Sequence, residues 1–328
     1  MLFKALEVSE SAEKKYQSAV VMKSVEDLPP GEVLINVQYS SLNYKDALSS
    51  CGNKGVTKSY PHTPGIDAAG IVEKSADPHF NPGDKVIVTG YDLGMNTSGG
   101  FSEYIRVPAS WPVHLPKGLS RRRSMMYGTA GFTAALAVYN LKRHGITPPN
   151  GKIVVTGASG GVGCMAVAIL SHLGFHVTAV TGKQEAVETL MELGAREVIP
   201  REALDDQGGK PFLKPQYAGA VDTVGGNILA TVLKSLHYGG VATCCGNVNS
   251  AELHTSIYPF ILKGIHLVGI DSVLCNHELR KEIWEHLASQ WRPSKMDKIV
   301  TICSLENIQE NLNKMLRGQL SGRWVVKI

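Results

Sequence analysis

A glycine-rich segment near the middle of the chain has the spacing of a phosphate-binding turn. Residues 152–163 pass from a short β-branched run into packed glycines, and the core reads Ala158-x-Gly160-x-x-Gly163. A turn of this kind directs the N–H groups and the positive end of the following helix towards a pyrophosphate. Gly160 leaves room for the phosphate, and Gly163 lets the helix pack closely on the strand. The segment therefore predicts a dinucleotide-binding turn.

The sequence on both sides of the turn supports this interpretation. Residues 153–155 form a continuous apolar run, and apolar residues then recur at helical spacing until Gly174 ends the helix. A second strand at residues 176–181 completes a strand–helix–strand unit. A glycine pattern alone is also common in flexible loops, so the cofactor interpretation depends on this context.

The end of the second strand indicates which dinucleotide is bound. An Asp or Glu there would accept hydrogen bonds from the adenosine ribose and repel a 2′-phosphate. The chain instead reads Thr181-Gly182-Lys183, which offers a hydroxyl, a backbone N–H and an ammonium to a phosphate dianion. NADP is therefore favoured over NAD. The alternative is a polar turn in which Lys183 is only solvated.

Length and charge exclude several classes of function. The chain has 328 residues, enough for two domains, and a formal net charge of +4. The basic run Arg121-Arg122-Arg123 lacks interleaved aromatic residues, so we interpret it as a solvated helix start and not as a nucleic-acid surface. No apolar stretch of ~20 residues and no signal-peptide core is present, which predicts a cytoplasmic protein without a membrane partner.

The secondary-structure pattern changes character once along the chain. Residues 1–123 contain short β-branched runs broken by glycine and proline, which predicts a mostly antiparallel β domain. From Ser124 the pattern becomes helical and then alternates between strands and helices, which indicates a parallel, doubly wound sheet of six strands. The predicted fold class is α/β.

Motifs spread over nearly the whole chain resemble one enzyme family in the family's order. They are residues 41–47 (SLNYKDA), 64–70 (PGIDAAG), 128–134 (GTAGFTA), 158–163, 221–225 (VDTVG), 259–262 (PFIL) and 269–273 (GIDSV). They are similar to the YhdH/YhfP-type branch of the medium-chain dehydrogenase/reductase superfamily. The resemblance implies a GroES-like domain at 1–123 and 273–328, a Rossmann NADP-binding domain at 124–272, and a homodimer.

The same resemblance implies a set of site residues. Its NADP contacts correspond to Tyr44, Ser159, Gly160, Gly161, Val162, Thr181, Gly182, Lys183 and Arg201, with Arg201 suited to the 2′-phosphate. Contacts near the nicotinamide correspond to Asn247, Ile261 and Ser272. Asn247 departs from the leucine that is common in the family after this Cys-Gly pair.

No metal is expected. In the similar zinc alcohol dehydrogenases, the catalytic cysteine matches Asn43 and a His-Glu pair matches Ile66-Asp67. An isoleucine cannot bind zinc, and an amide is a poor substitute for a thiolate. The cysteine-rich lobe that holds their structural zinc is also missing from this sequence.

Without a Lewis acid the substrate must already be electrophilic. The resemblance implies NADPH-dependent reduction of a small molecule, a short-chain enoyl thioester, with acryloyl-CoA giving propionyl-CoA. The alternative enzymatic activity is reduction of a quinone. The alternative of another class is a crystallin-like protein that binds NADPH with little turnover. Tyr44 is the candidate catalytic residue because its phenol can donate a hydrogen bond to developing charge. Arg323 is a second candidate for a substrate carbonyl or CoA phosphate, with a surface salt bridge as the competing interpretation.

Overall fold

The computed structural model describes residues 1–328, and the chain before residue 120 is built mainly of strands. The elements of this part are β1 (Leu2–Glu10), β2 (Tyr16–Ser24), β3 (Val33–Ser41), α1 (Tyr44–Ser50), β4 (Asp67–Ser75), β5 (Lys85–Thr89), β6 (Tyr104–Val107) and β7 (Val113–His114).

The middle of the chain alternates between strands and helices. Its elements are α2 (Arg121–Arg143), β8 (Lys152–Val155), α3 (Gly161–His172), β9 (Val177–Thr181), α4 (Val187–Glu192), β10 (Glu197–Pro200), β11 (Tyr217–Asp222), α5 (Gly226–Lys234), β12 (Leu236–Cys244), α6 (Tyr258–Lys263) and β13 (His266–Gly269). The chain ends with α7 (His277–Ala288), β14 (Val300–Ser304), α8 (Ile308–Leu316) and β15 (Arg323–Lys327). None of the helices is at once long and apolar enough to span a membrane.

One seven-stranded sheet joins the beginning and the end of the chain. Its order is β14-β15-β3-β4-β5-β7, and β6 pairs with β3. Neighbouring strands are antiparallel except for the parallel pair β14 and β15. The strand β15 pairs with β3, which brings the carboxy-terminal segment back to this sheet. β1 and β2 form a separate antiparallel hairpin.

The second sheet has six parallel strands in the order β10-β9-β8-β11-β12-β13. Its central strands are buried along their length, as in β9 and β11, because helices cover a parallel sheet on both faces. The fold class predicted from the sequence, an antiparallel β domain together with a six-stranded doubly wound sheet, is confirmed.

Contacts divide the chain into two compact units. The first comprises residues 1–129, 273–288 and 300–328, and the second comprises 130–272 and 289–299. The expected boundary at residue 123 therefore differs from the observed one, because α2 kinks at Gly128 (φ 53°, ψ −158°) and the chain changes unit there. Residues 289–299 join the second unit because Trp291 is buried and receives the ammonium of Lys142 over its ring at 5.4 Å.

Candidate functional site

The glycine-rich turn has the geometry that its spacing predicts. Gly157 has φ 59°, and its carbonyl accepts a hydrogen bond of 2.9 Å from the Gly160 N–H just before α3 begins. A side chain on Gly163 would place its Cβ 2.7 Å from the Cα of Ala158. Only glycine fits where α3 approaches β8 this closely, so the turn and the start of α3 are held at the end of the strand.

A buried carboxylate fixes the neighbouring strand end. Asp222, at the end of β11, accepts hydrogen bonds from the Thr156 hydroxyl at 2.6 Å and from the Gly225 N–H at 2.8 Å. Burial raises the pKa of Asp222, while these hydrogen bonds oppose that shift. The pair ties the carboxyl ends of β8 and β11 together at the edge where ligands bind in open parallel sheets.

A pocket of about 570 Å³ opens beside the ends of β8 and β9. Thr181 donates its hydroxyl proton to the Ser159 Oγ at 3.0 Å and accepts a hydrogen bond from the Lys183 N–H at 3.1 Å. The lining residues are Thr156, Gly157, Ser159, Val180, Thr181, Gly182, Lys183, Arg201, Glu202, Asp205, Val224, Ile228, Val248 and Asn249. The pocket thus brings together five of the predicted cofactor residues.

Arg201 lies directly over the backbone of Gly182. A Cβ added to Gly182 would meet the Arg201 Cδ and Nε at 3.2 Å. The Arg201 Nε donates to the Glu202 carboxylate at 3.1 Å, and the two side chains are 67% and 69% exposed. Arg201 and Lys183 therefore place two cations in the pocket, and their contact with a 2′-phosphate stays a prediction.

Two carboxylates line this pocket that the sequence patterns did not predict. No acidic residue ends β9, but Glu202 and Asp205 line the same cavity from the segment that follows β10. The expectation that no acidic group opposes a 2′-phosphate therefore needs correction. The available signal was their closeness to Arg201 in the chain, since Glu202 is the next residue and Asp205 follows within one turn. Val248 and Asn249 also line the pocket, but they belong to a loop whose conformation no local sequence pattern predicts.

The remaining cofactor candidates of the second unit lie outside this pocket. Gly160, Gly161 and Val162 occupy the cap and first turn of α3. Asn247 is exposed after β12, Ile261 is exposed on α6, and Ser272 is largely buried at the end of the unit. Their predicted roles near a nicotinamide stay predictions.

Tyr44 belongs to the first unit and is the first residue of α1. The preceding Asn43 caps that helix, since its N–H donates to the Asp46 carboxylate at 2.8 Å. Tyr44 is 56% exposed.

Asn43, which precedes Tyr44 in the chain, belongs to a buried polar cluster whose centre is Asp67. The Asp67 carboxylate accepts hydrogen bonds from the Ser41 hydroxyl at 2.5 Å, the Asn43 amide at 2.8 Å and both the N–H and the hydroxyl of Thr129. The Asp46 carboxyl accepts a further hydrogen bond from the Ile66 N–H at 2.9 Å. Burial, followed by the nearby charge of Asp67, raises the pKa of Asp46 to about 7.

Arg323 completes this cluster. Its guanidinium donates to the carbonyls of Met126 at 3.1 Å and Leu42 at 3.2 Å and to the Ser41 hydroxyl at 2.9 Å. The side chain is 3% exposed, so the interpretation as a surface salt bridge is wrong. The hydrogen bonds of Arg323 to these carbonyls give the buried side chain a structural function. Its contact with a substrate stays a prediction.

The positions matched to zinc ligands are occupied by this hydrogen-bonded cluster. The Asn43 amide donates to Asp67, and Ile66 is buried and apolar. The Asp67 oxygens already accept hydrogen bonds from three neighbouring residues. The donor set is therefore that of a polar network and not that of a thiolate and imidazole site.

Family comparisons cover both units. The family described as alcohol dehydrogenase GroES-like domain matches residues 29–117, and the family described as zinc-binding dehydrogenase matches residues 161–289. YhfP of Bacillus subtilis, which is named provisionally as a quinone oxidoreductase, is 45% identical over 100% of this chain and 99% of its own length. The chain belongs to the zinc-independent quinone oxidoreductase and acryloyl-CoA reductase family of medium-chain dehydrogenases/reductases.

Other relatives of this family are similar over the same length. The acrylyl-CoA reductase AcuI of Ruegeria pomeroyi is 43% identical over 100% of this chain and 99% of its own. The crystal structure of the yhdH oxidoreductase of Salmonella enterica in complex with NADP is 40% identical, with a TM-score of 0.96 and full coverage of both chains. YhfP has been crystallised with NAD bound, and its TM-score to this chain is 0.98 over both full lengths.

Proposed function

We propose that the chain is an NADPH-dependent reductase. A dinucleotide fits the second unit, because the close-packed turn at Gly157 and Gly163 leads into a cavity that carries two cations. In this proposal Thr181, Lys183 and Arg201 hold the 2′-phosphate, and the first turn of α3 holds the pyrophosphate. The NADP complex of the Salmonella enterica relative supports the choice of cofactor.

The proposed substrate is an enoyl thioester, and acryloyl-CoA is its simplest representative. The observation that carries this choice is the identity of 43% with an acrylyl-CoA reductase over the whole chain. The matched zinc positions support it as well, because Asn43 and Ile66 provide no Lewis acid and the substrate must therefore be electrophilic by itself.

The cofactor supplies a hydride for the β-carbon of the thioester, while the α-carbon takes a proton and propionyl-CoA results. Negative charge develops on the thioester oxygen during this reaction, and a positioned hydrogen-bond donor stabilises it. We assign this donor to the hydroxyl of Tyr44, an exposed residue at the start of α1. Asn43 and Asp46 hold that helix start in place through the cap hydrogen bond.

Quinone reduction is the second candidate activity. It is favoured by the identity of 45% with YhfP, the relative that is named as a quinone oxidoreductase. A binding protein without significant turnover is the third possibility, and it differs from the other two in that NADPH would bind without being consumed.

Steady-state oxidation of NADPH separates these three functions. We expect rapid oxidation with acryloyl-CoA and slow oxidation with a simple quinone. In the same assay Tyr44→Phe should lower kcat about tenfold or more, by analogy with removal of an oxyanion donor. Tyr238→Phe, a change at an exposed tyrosine of the second unit, is the matched control and should leave turnover unchanged.

The opposite results assign the other functions. If the quinone is consumed rapidly and acryloyl-CoA does not react, the chain is a quinone reductase. If NADPH binds but neither substrate is turned over, it is a binding protein. Normal turnover by Tyr44→Phe would remove the proposed role of the hydroxyl alone.

We also propose that the chain forms a homodimer through its second unit. The strand β13 lies at one edge of the parallel sheet and pairs on one side only, with β12. Nearby in the chain, α6 exposes Leu262 (58%) and Tyr258 (50%). An unpaired strand edge beside exposed apolar side chains is a surface that soluble proteins commonly cover by association.

A further inference from the structure

A buried carboxylate at the end of β11 is hydrogen-bonded to two segments that line the pocket beside β8 and β9. Asp222 has no exposed surface, and burial of a carboxylate costs free energy unless donors satisfy its oxygens. One oxygen accepts the Thr156 hydroxyl at 2.6 Å, and the other accepts the Gly225 N–H at 2.8 Å. Thr156 lines the pocket, and so does Val224, the residue before Gly225, whereas Asp222 does not. The carboxylate therefore holds the pocket wall without being part of it.

The first hydrogen bond fixes the segment of Thr156 and Gly157. The Thr156 hydroxyl donates to Asp222 and accepts the Thr223 N–H at 3.1 Å, and the Thr156 carbonyl accepts the Thr223 hydroxyl at 2.9 Å. A carboxylate can only accept hydrogen bonds, so the Thr156 proton points to Asp222 and leaves the oxygen lone pairs for the Thr223 N–H. A side chain on Gly157 would overlap the Thr223 hydroxyl. The ends of β8 and β11 are thus joined at a close and defined spacing.

The second hydrogen bond fixes the turn that leads from β11 into α5. Gly225 caps α5 with φ 71° while its N–H donates to Asp222. Within this turn the carbonyl of Val224 accepts the Asn249 N–H at 2.9 Å. Val248 and Asn249 line the pocket together with Val224. Through this turn, Asp222 also determines where the segment of Val248 and Asn249 is held.

We propose that Asp222 is a positioning residue for the dinucleotide, because it sets the spacing between the segments that line the pocket. This inference rests on the NADPH binding of the proposed function. The charge of Asp222 does not attract the ligand, since a carboxylate repels the phosphates of an anionic cofactor. The affinity that Asp222 confers therefore comes from the geometry of the pocket and not from electrostatic attraction.

Calorimetric titration of Asp222→Asn with NADPH and with NADH tests this role, because it gives Kd and the number of binding sites separately. Asparagine keeps the size of the side chain but replaces one acceptor by an amide donor, which then faces the Thr156 hydroxyl or the Gly225 N–H. We expect Kd to rise about tenfold for both cofactors, as for loss of a hydrogen bond to a charged group. The number of sites should not change.

Glu197→Gln is the matched control in the same sheet. Glu197 begins β10, and its carboxylate accepts the hydroxyl of Thr178, its partner on the parallel strand β9, at 3.1 Å. Neither residue lines the pocket, so Kd should stay unchanged.

Thr156→Val provides a second variant, which keeps the carboxylate and removes its hydroxyl donor. It should also weaken binding of both cofactors, and this comparison remains available if Asp222→Asn does not fold. Combined with Asp222→Asn, it should raise Kd by less than the product of the two single effects, because both changes break the same contact. Independent effects that multiply fully would contradict a shared role.

Two results would overturn the positioning role directly. A purely structural role predicts fewer binding sites or a lower melting temperature at unchanged Kd, and a purely electrostatic role predicts tighter binding by Asp222→Asn. Equal weakening by Glu197→Gln would also overturn the proposal. If the unmodified chain binds no NADPH, the proposed function fails together with this inference. If the unmodified chain binds NADPH but does not reduce acryloyl-CoA, only the proposed substrate fails and the role of Asp222 stands.

Discussion

At the scale of single residues, we propose that cofactor choice depends on a balance of charges around Gly182. Lys183 and Arg201 favour a 2′-phosphate, but the Arg201 guanidinium is shared with Glu202 at 3.1 Å. The pairing between these exposed side chains is weak, and a phosphate dianion competes for the same guanidinium. We therefore expect Glu202 to moderate the preference for NADPH without abolishing it.

Opposite effects are predicted for two substitutions in this pocket. Lys183→Ala should lower kcat/KM for NADPH by about ten- to hundredfold and leave that for NADH nearly unchanged, because one charged contact is lost. Glu202→Gln should raise the NADPH to NADH ratio, because Arg201 loses its competing partner. The ratio of the two kcat/KM values measures both effects.

Lys214→Ala provides the control for this comparison. Lys214 is exposed and does not line the pocket, so its removal changes net charge equally without a local effect. Equal use of both cofactors by the unmodified chain would contradict the assignment of the 2′-phosphate site.

Metal independence is also a prediction at the residue scale. Asn43 and Asp67 are joined by a hydrogen bond of 2.8 Å at the positions matched to zinc ligands, and neighbouring donors satisfy Asp67 further. We expect incubation with a chelator to leave turnover unchanged and metal analysis to find no stoichiometric zinc. Loss of turnover on chelation, reversed by added zinc, would show that these positions were misinterpreted.

At the scale of elements, a buried carboxyl connects the start of α1 with the segment before β4. Asp46 accepts the N–H groups of Asn43 and Ile66, and it lies close to Asp67. Burial raises the pKa of Asp46 from 3.8 to about 7 in the folded chain. The folded state therefore binds a proton that the unfolded state has already released between these two values.

This difference predicts that the unfolding free energy falls as pH rises from about 4 to 7. The unfolded state binds fewer protons in that window, and one proton corresponds to a slope of at most about 1.4 kcal/mol per pH unit. Asp46→Asn should flatten the dependence. Urea unfolding midpoints at several pH values measure it, with Asp84→Asn, in the turn before β5, as the control. Identical pH dependence in Asp46→Asn and the unmodified chain would contradict the role of Asp46.

Local sequence patterns predicted the elements that depend on local chemistry. The turn at Gly157, the helix after it and the strand ending at Thr181 follow from glycine spacing and apolar periodicity, and the structure has them at those places. Periodicity did not reveal that Asp46, Asp67 and Arg323 share one buried cluster. These residues are distant in sequence, and their hydrogen bonds exist only when β3, β4 and β15 pair.

At the scale of the whole molecule, composition could not predict the residues at which the chain passes from one compact unit to the other. The helix α2 continues past residue 123, and its kink depends on Gly128, where a Cβ would meet the Arg323 guanidinium at 2.7 Å. Residues 289–299 return to the second unit through the packing of Trp291 and the ion pair of Lys298 with Glu192 at 2.7 Å. Both features arise from contacts between segments far apart in the sequence.

The last prediction concerns assembly. If β13 and α6 form the homodimer surface, sedimentation should give the mass of two chains, and Leu262→Glu should shift the protein towards the monomer because it buries a charge at the interface. Met22→Glu is the matched control, since Met22 and Leu262 are both 58% exposed and Met22 lies on β2 in the first unit. A monomer at all concentrations would refute the dimer, and equal dissociation by both variants would refute the surface. We expect the dimer because β13 pairs on one side only, and an exposed strand edge beside apolar side chains favours association.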